Sequence, residues 1–185
     1  MIDARHLSRS SGPGPSRRLG GSRPGALRKA ARCRGLLRLV VISCSVALLP
    51  TATALAATFT VDSTADAVDA APGDGICATA GGVCTLRAAI GEANALIGPD
   101  TIAFNIAGAG VHTISPASAL PVIGDPVVID ATSQPGYAGT PLIELDGTNA
   151  GNNKNGLSLS VGSDGSTVRG LAINRFGNDG IRVDR

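Results

Sequence analysis

The charged residues in the second half of the chain are the ones whose types could support catalysis. An enzyme that cleaves acidic polysaccharides needs cationic and carboxylate side chains on one face, because they bind the acidic substrate and move protons. The candidates are Asp130, Glu144, Asp146, Lys154, Arg169 and Arg175. They are scattered among apolar runs and bends, and Asp130 and Asp146 stand at run ends, where a carboxylate ordinarily caps a turn. We therefore predict no catalytic residue in this segment.

Other catalytic patterns are missing from the sequence. His112 has no evident triad partner, and we interpret it as a surface imidazole. No G-x-S-x-G, H-E-x-x-H or phosphate-loop pattern occurs. The absence of Trp and the single Tyr also weaken any platform for stacking sugar rings.

A loop near residue 70 carries four carboxylates that could bind calcium, the only cofactor that the sequence suggests. Hard oxygen ligands gathered in one loop are what this ion requires. Their order matches neither the EF-hand nor the glycine-rich calcium solenoids, so a solvated acidic loop is the favoured alternative. The four residues are Asp62, Asp66, Asp69 and Asp74.

The first part of the chain, residues 1–56, has the composition of a secretory signal. It carries ten of the 16 Lys and Arg residues but only one of the 14 acids. An apolar core at 36–49 is followed by Ala54 and Ala56 in A-x-A spacing, which predicts cleavage near Ala56 and export to the cell surface or medium. A transmembrane anchor is the alternative, but Arg38 and Pro50 hold the apolar core below the ~20 residues of a span.

Two alternatives concern this leader. The motif "VISC" at 41–44 resembles a lipobox, which would make Cys44 a lipidated amino terminus, and the long basic stretch leaves a downstream translation start open. The rest of the chain is acidic, so the basic pI belongs to the leader. We therefore expect no nucleic-acid partner, and membrane contact only through the signal segment during export.

Cys77 and Cys84 are the two cysteines after the leader. In an exported protein, such a pair is expected to form a disulfide, here closing the loop "ATAGGV". A metal site is the less favoured alternative, because only His112 could join them as a soft ligand.

One amphipathic helix is predicted over the stretch "CTLRAAIGEANAL" at 84–96. Apolar residues recur in it at helical spacing, Thr85 is a plausible N-cap, and Gly98-Pro99 stops the helix. From Asp100 onward, short runs rich in Ile, Val and Leu alternate with turns, which predicts serial strands. The runs are "TIAFNI", "VHTI", "PVVIDA", "PLIELDG", "GLSLS", "TVRGLAI" and "GIRV".

Internal repetition distinguishes two all-β folds. "NGLSLSV" at 155–161 and "DGIRVDR" at 179–185 align as equivalent strands on successive turns of a right-handed parallel β-helix. A β-sandwich is the alternative, but it would show more aromatic core residues. We predict an all-β solenoid with an amino-terminal capping strand and helix.

The sequence "GDGICATAGGVCTLRAAIGEANAL" resembles the CSLREA domain of exported bacterial proteins, commonly followed by β-helix repeats. The resemblance covers residues 58–106 and implies a cap at 57–98, made by a tethered amphipathic helix, before β-helix turns at 99–185. The motif residues are Thr85, Leu86, Arg87, Ile90, Glu92 and Asn94. The family usually has Glu where this chain has Ala88, so only the hydroxyl half of a capping box remains.

Two interpretations of Arg87 stay open: a solvated residue, or a partner for a carboxylate such as Asp62 or Asp66. For the whole chain, we expect an exported adhesin-like binding module whose partner is an extracellular polysaccharide or surface protein. The alternative is the amino-terminal part of a polysaccharide lyase or glycoside hydrolase. Because "GIRVDR" ends without a closing element, we also expect the chain to be a fragment of a longer protein; the alternative is that its last turn pairs with another chain.

Overall fold

The computed structural model describes residues 55–184, all of which belong to one compact unit. The predicted cap at 57–98 and the strands after it are therefore parts of the same unit. The predicted secretory signal and the alternative of lipidation at Cys44 lie outside the described residues, apart from Leu55 and Ala56 at the end of the predicted leader. Within 55–184, no helix is long and apolar enough to cross a membrane.

The described residues form three parallel sheets and one α-helix. In chain order, the elements are β1 (Thr58–Val61), α1 (Leu86–Ala95), β2 (Asp100–Phe104), β3 (His112–Ile114), β4 (Val127–Asp130), β5 (Ile143–Asp146), β6 (Leu157–Leu159), β7 (Thr167–Arg169), β8 (Leu171–Asn174) and β9 (Ile181–Val183). The first sheet has the order β1-β2-β4-β7, the second β3-β5-β8, and the third pairs β6 with β9. The predicted apolar runs thus coincide with strands.

Alternation of side chains places one face of each sheet in a shared core. In the first sheet, Phe59, Ile102 and Ile129 stand opposite one another and are nearly inaccessible to solvent. In the second sheet, Ile143 and Leu145 are fully buried, while the one residue between them points outward. This period of two fixes the register, because a slip by one residue would turn every apolar side chain outward.

The predicted fold class is wrong. Residues 55–184 form a mixed α/β structure with 12% helix and 26% strand, and these residues show no closed solenoid. The physical reason lies in α1, which is part of the core rather than an addition to it: Leu86, Ala89 and Ile90 pack with the strand residues. The alternative, a β-sandwich, is also wrong, because every strand pairing in residues 55–184 is parallel.

Two local predictions are confirmed. The Oγ1 of Thr85 accepts a hydrogen bond from the backbone N–H of Ala88 at 3.1 Å, so Thr85 is the N-cap of α1. The segments aligned from the sequence pair in parallel, with Leu157 opposite Ile181. The helix ends at Ala95, earlier than the predicted stop at Gly98-Pro99, and the N–H of Leu96 completes its last turn.

The disulfide is also confirmed. Cys77 and Cys84 are bonded across a sequence separation of 7, immediately before α1. The backbone N–H of Cys84 donates to a carboxylate oxygen of Asp62 at 2.8 Å, and its carbonyl accepts from the Asp62 N–H at 3.1 Å. The disulfide therefore closes the loop before the helix, and the two hydrogen bonds of Cys84 join that loop to the segment that follows β1.

Removing this disulfide by a double Cys77→Ala, Cys84→Ala substitution is expected to lower the free energy of unfolding by about 2.5 kcal/mol. The estimate is the loop-closure entropy of a short loop in the unfolded chain. Urea unfolding without reductant measures it. The unsubstituted protein in reductant serves as a second test, and its unfolding midpoint should match that of the variant. An unchanged midpoint in both would show that the disulfide does not contribute to the stability of the fold.

Candidate functional site

A cluster of polar side chains covers the outward face of the second sheet. Arg175 donates from Nε to Asp146 at 2.8 Å and from Nη2 to Glu144 at 2.8 Å. Glu144 also accepts from Thr113 Oγ1 at 2.7 Å and from Asn174 Nδ2 at 2.9 Å. We call these five residues the arginine–carboxylate cluster. It draws on all three strands of the sheet, because parallel register sets Thr113 opposite Glu144 and Asp146 opposite Asn174.

A second, smaller pair lies on the first sheet. Arg169 at the end of β7 donates from Nη2 to Asp130 at the end of β4, at 2.6 Å. The parallel register places these two residues directly opposite each other. Five of the six charged residues singled out from the sequence therefore fall into two ion-paired groups, and the sixth, Lys154, is exposed.

Asp130 and Asp146 share a second role, since each caps a short 3₁₀ helix. In both, one carboxylate oxygen accepts from the N–H and the hydroxyl of the threonine two residues later. The capped helices are Ala131–Ser133 and Gly147–Asn149. The sequences Asp130-Ala131-Thr132 and Asp146-Gly147-Thr148 are thus a structural repeat, and the predicted turn caps are confirmed.

The middle residue of this repeat differs for a steric reason. At Gly147, an added Cβ would lie 2.6 Å from the Cα of Phe176, closer than real Cβ atoms come. Phe176 is partly buried against the core. The glycine therefore allows the chain after β8 to pass directly over the second cap.

The charges in these groups stabilise one another. The hydrogen bond from Arg169 holds the pKa of Asp130 well below its usual range, at about 2. Arg175 and then Thr148 lower the pKa of Asp146, while Asn174, Thr113 and Arg175 lower that of Glu144. The same contacts raise the pKa of Arg175. All three carboxylates are therefore ionised at neutral pH and engaged as acceptors.

Replacing Arg169 by glutamine is expected to raise the pKa of Asp130 from about 2 by roughly one unit, because the ionised form loses its cationic partner. A folded pKa below the unfolded value of 3.8 stabilises the fold above that pH, and the contribution disappears as pH falls through about 2. In the variant, the contribution is smaller and its loss is complete at a higher pH, because the folded pKa lies closer to the unfolded value. Carboxyl NMR titration measures the shift, with Arg182→Gln as a control that should leave Asp130 unchanged; an unchanged pKa in Arg169→Gln would contradict the pairing.

The polar residues of α1 make a separate set of hydrogen bonds. Glu92 is 0% exposed, and its two oxygens accept the N–H groups of Gly73 and Gly75 at 2.8 and 3.1 Å. Asn94 donates to the carbonyl of Val122 at 2.8 Å and accepts from the N–H of Gly124 at 2.9 Å. Each side chain thus fastens a loop to the helix through backbone groups of that loop.

Arg87, also on α1, makes four such hydrogen bonds. It binds Asp66 through Nε at 2.6 Å and Nη2 at 3.1 Å, and it donates to the carbonyls of Ser118 and Ala119 at 3.0 and 2.8 Å. The side chains of Arg87 and Asp66 are only 11% and 13% exposed. Of the two interpretations left open by the sequence, the structure has the one with a carboxylate partner.

The four carboxylates predicted as calcium ligands each accept hydrogen bonds from different groups of the protein. Asp62 accepts from Cys84, Asp69 from Ala71 and Ala78, and Asp74 from Ile76, all through backbone N–H groups. Asp66 binds Arg87 and the N–H of Ala117. Across residues 55–184, no group of three or more His, Cys, Asp or Glu side chains is placed to hold a metal ion. We therefore propose no calcium site.

His112 differs from its predicted surface position. Its side chain is half-buried, and its Nε2 is buried with no hydrogen-bond partner in the described part of the chain. Its backbone N–H donates to Leu142 at 2.8 Å as β3 pairs with β5. It lies one residue before Thr113, yet it takes no part in the arginine–carboxylate cluster.

Sequence reasoning missed Thr113, Thr148 and Asn174. A signal for Thr148 existed, since Asp-x-Thr follows an apolar run at both 130 and 146. Thr113 and Asn174 had no such signal, because only strand register brings them to Glu144.

Comparisons of the chain with protein families, with curated proteins and with solved structures found no match. The resemblance to the CSLREA domain therefore stays a prediction.

Proposed function

We propose that the chain is an exported, adhesin-like binding module that binds an extracellular polysaccharide through the outward face of its second sheet. Export rests on the leader at 1–56, and the Cys77–Cys84 disulfide fits an oxidising compartment. The face offers carboxylate, amide and hydroxyl groups on neighbouring strands about 4.8 Å apart, which suits hydrogen bonding along a sugar chain. Arg175 on this face is 51% exposed and can also bind acidic groups.

The pairing of the carboxylates favours binding over hydrolysis. A glycosidase needs a carboxylic acid that keeps its proton near neutral pH. Here Asp130, Glu144 and Asp146 have lowered pKa values. Asp100 has a raised pKa, but it is 0% exposed and cannot contact a polysaccharide. The ion pairing of Asp130, Glu144 and Asp146 with arginine is the observation on which the proposed non-catalytic role depends.

The test is to express the full chain in an exporting bacterial host and to incubate the exported protein with a panel of acidic polysaccharides. Binding without new reducing or unsaturated ends supports the proposal. Arg175→Gln should weaken binding by about tenfold, the loss of one charge-assisted contact, whereas Arg182→Gln should not. New ends would favour the lyase or hydrolase alternative, and no binding across the panel would refute the polysaccharide partner and favour a surface protein.

A further inference from the structure

The start of the folded unit is held by a buried carboxylate. The backbone nitrogen of Ala57, the residue before β1, donates to Oδ1 of Asp100 at 2.8 Å. The carbonyl of Ala57 accepts from the N–H of Thr101 at 2.8 Å. Ala57 is therefore held through both its backbone N–H and its carbonyl. Leu55, two residues earlier, is 83% exposed.

Asp100 is not satisfied by this single contact. It is 0% exposed, and its Oδ2 is buried without a hydrogen-bond partner among residues 55–184. Burial raises its pKa, the Ala57 hydrogen bond opposes the rise, and the nearby charge of Asp125 adds to it. Asp125 is itself bound to the N–H of Gly98 at 3.0 Å. A neutral amide thus offers too few donors and no charge for this site.

The leader ends at the same residue. The predicted A-x-A site places cleavage after Ala56, and hydrolysis there adds water across the Ala56–Ala57 peptide bond. The products are a carboxylate on Ala56 and an ammonium group on Ala57. This nitrogen already lies within hydrogen-bond distance of Asp100, so cleavage would give it a positive charge and additional N–H donors without moving it.

We propose that Asp100 is the acceptor for the α-ammonium group of Ala57 released by signal cleavage, so that processing creates a buried ion pair that fastens β1 to β2. The inference rests on the proposed export. It makes cleavage a step that completes the fold as well as releasing the leader. In the processed protein, the pKa of the α-ammonium lies above the ordinary value for an amino terminus, and the pKa of Asp100 is lower than in the precursor.

The experiment is a double-mutant cycle on proteins that are expressed as the full chain and processed on export. One change inserts a glycine between Ala56 and Ala57, which keeps the A-x-A site but moves the new amino group one residue away. The other is Asp100→Asn, which keeps the shape and removes the charge. Mass spectrometry of the unmodified protein should give an amino terminus at Ala57.

In the protein that keeps Asp100, the glycine insertion should lower the melting temperature by roughly 10 °C, as expected for breaking a buried ion pair. With Asp100→Asn, the same insertion should lower it by less than about 3 °C. The pKa of the α-ammonium should lie at least about one unit above its ordinary value of about 8, and it should return to that value in the insertion variant. Equal losses in both backgrounds, an ordinary amine pKa, or another amino terminus would overturn the proposal.

The same four proteins can be released by a site-specific protease from a fusion that replaces residues 1–56 and folds under oxidising conditions. This preparation is justified because the whole core cluster lies at residue 57 and beyond. If export fails, the proposed function fails, while these proteins still decide whether Asp100 binds the amino group. Coupling between the insertion and Asp100→Asn supports the ion pair, and its absence refutes it.

Discussion

Replacing Glu92 by alanine is expected to lower the free energy of unfolding by about 4 kcal/mol. The side chain is 0% exposed, and its carboxylate is the acceptor for the N–H groups of Gly73 and Gly75. Alanine removes two hydrogen bonds to an ionised acceptor, at a cost of roughly 1.5 kcal/mol each, and it also leaves a small cavity beside α1. Urea unfolding followed by far-UV circular dichroism measures the loss.

A conservative variant separates the hydrogen bonds from the packing. Glu92→Gln fills the same volume but keeps one acceptor oxygen, so it should cost less than half as much as Glu92→Ala. The control is Asp164→Ala, which removes an exposed carboxylate and should change stability by less than about 0.5 kcal/mol. Equal effects of the alanine and glutamine variants would contradict the role given to the two N–H groups.

Replacing Arg87 by methionine is the second large change, with an expected loss of about 3 kcal/mol. The substitution keeps much of the apolar stem but leaves Asp66 and the carbonyls of Ser118 and Ala119 without their donor. Breaking a largely buried ion pair by removing one partner typically costs this much. Arg87→Lys should lie between the two proteins, because lysine keeps the charge but not the bidentate geometry.

The chain offers a matched comparison for this pair. Arg182 binds Asp184 through Nε at 2.8 Å, but these side chains are 50% and 48% exposed. Exposed pairs contribute little, so Arg182→Met should leave the unfolding midpoint unchanged. Combining Arg87→Met with Asp66→Asn should cost much less than the sum of the single losses. Similar effects of Arg87→Met and Arg182→Met would show that burial does not matter here.

Local structure could be predicted from this sequence because its causes are local. The Thr85 cap needs a hydroxyl three residues before a backbone N–H, and each strand needs only an apolar run between turns. The disulfide follows from two cysteines and an exported context. In each case, the residues that decide the structure lie within about ten positions of one another.

The fold class could not be predicted in the same way. Apolar runs separated by turns are compatible with several arrangements, and the proportion of the core contributed by α1 depends on contacts across the chain. The same limit applies to the candidate site. Glu144 meets Thr113 and Asn174 across sequence separations of 31 and 30, so only the register of three strands shows that these side chains belong together.

The contacts of α1 also set an order of events for a chain that emerges amino terminus first. Cys77 and Cys84 are separated by only 7 positions and can be joined early. Arg87 and Asn94, however, bind backbone groups between Ser118 and Gly124, at sequence separations of up to 32. The helix can therefore complete these contacts only after the chain up to residue 124 has emerged. Until then, the disulfide-closed loop at its start restricts the conformations that the helical segment can adopt.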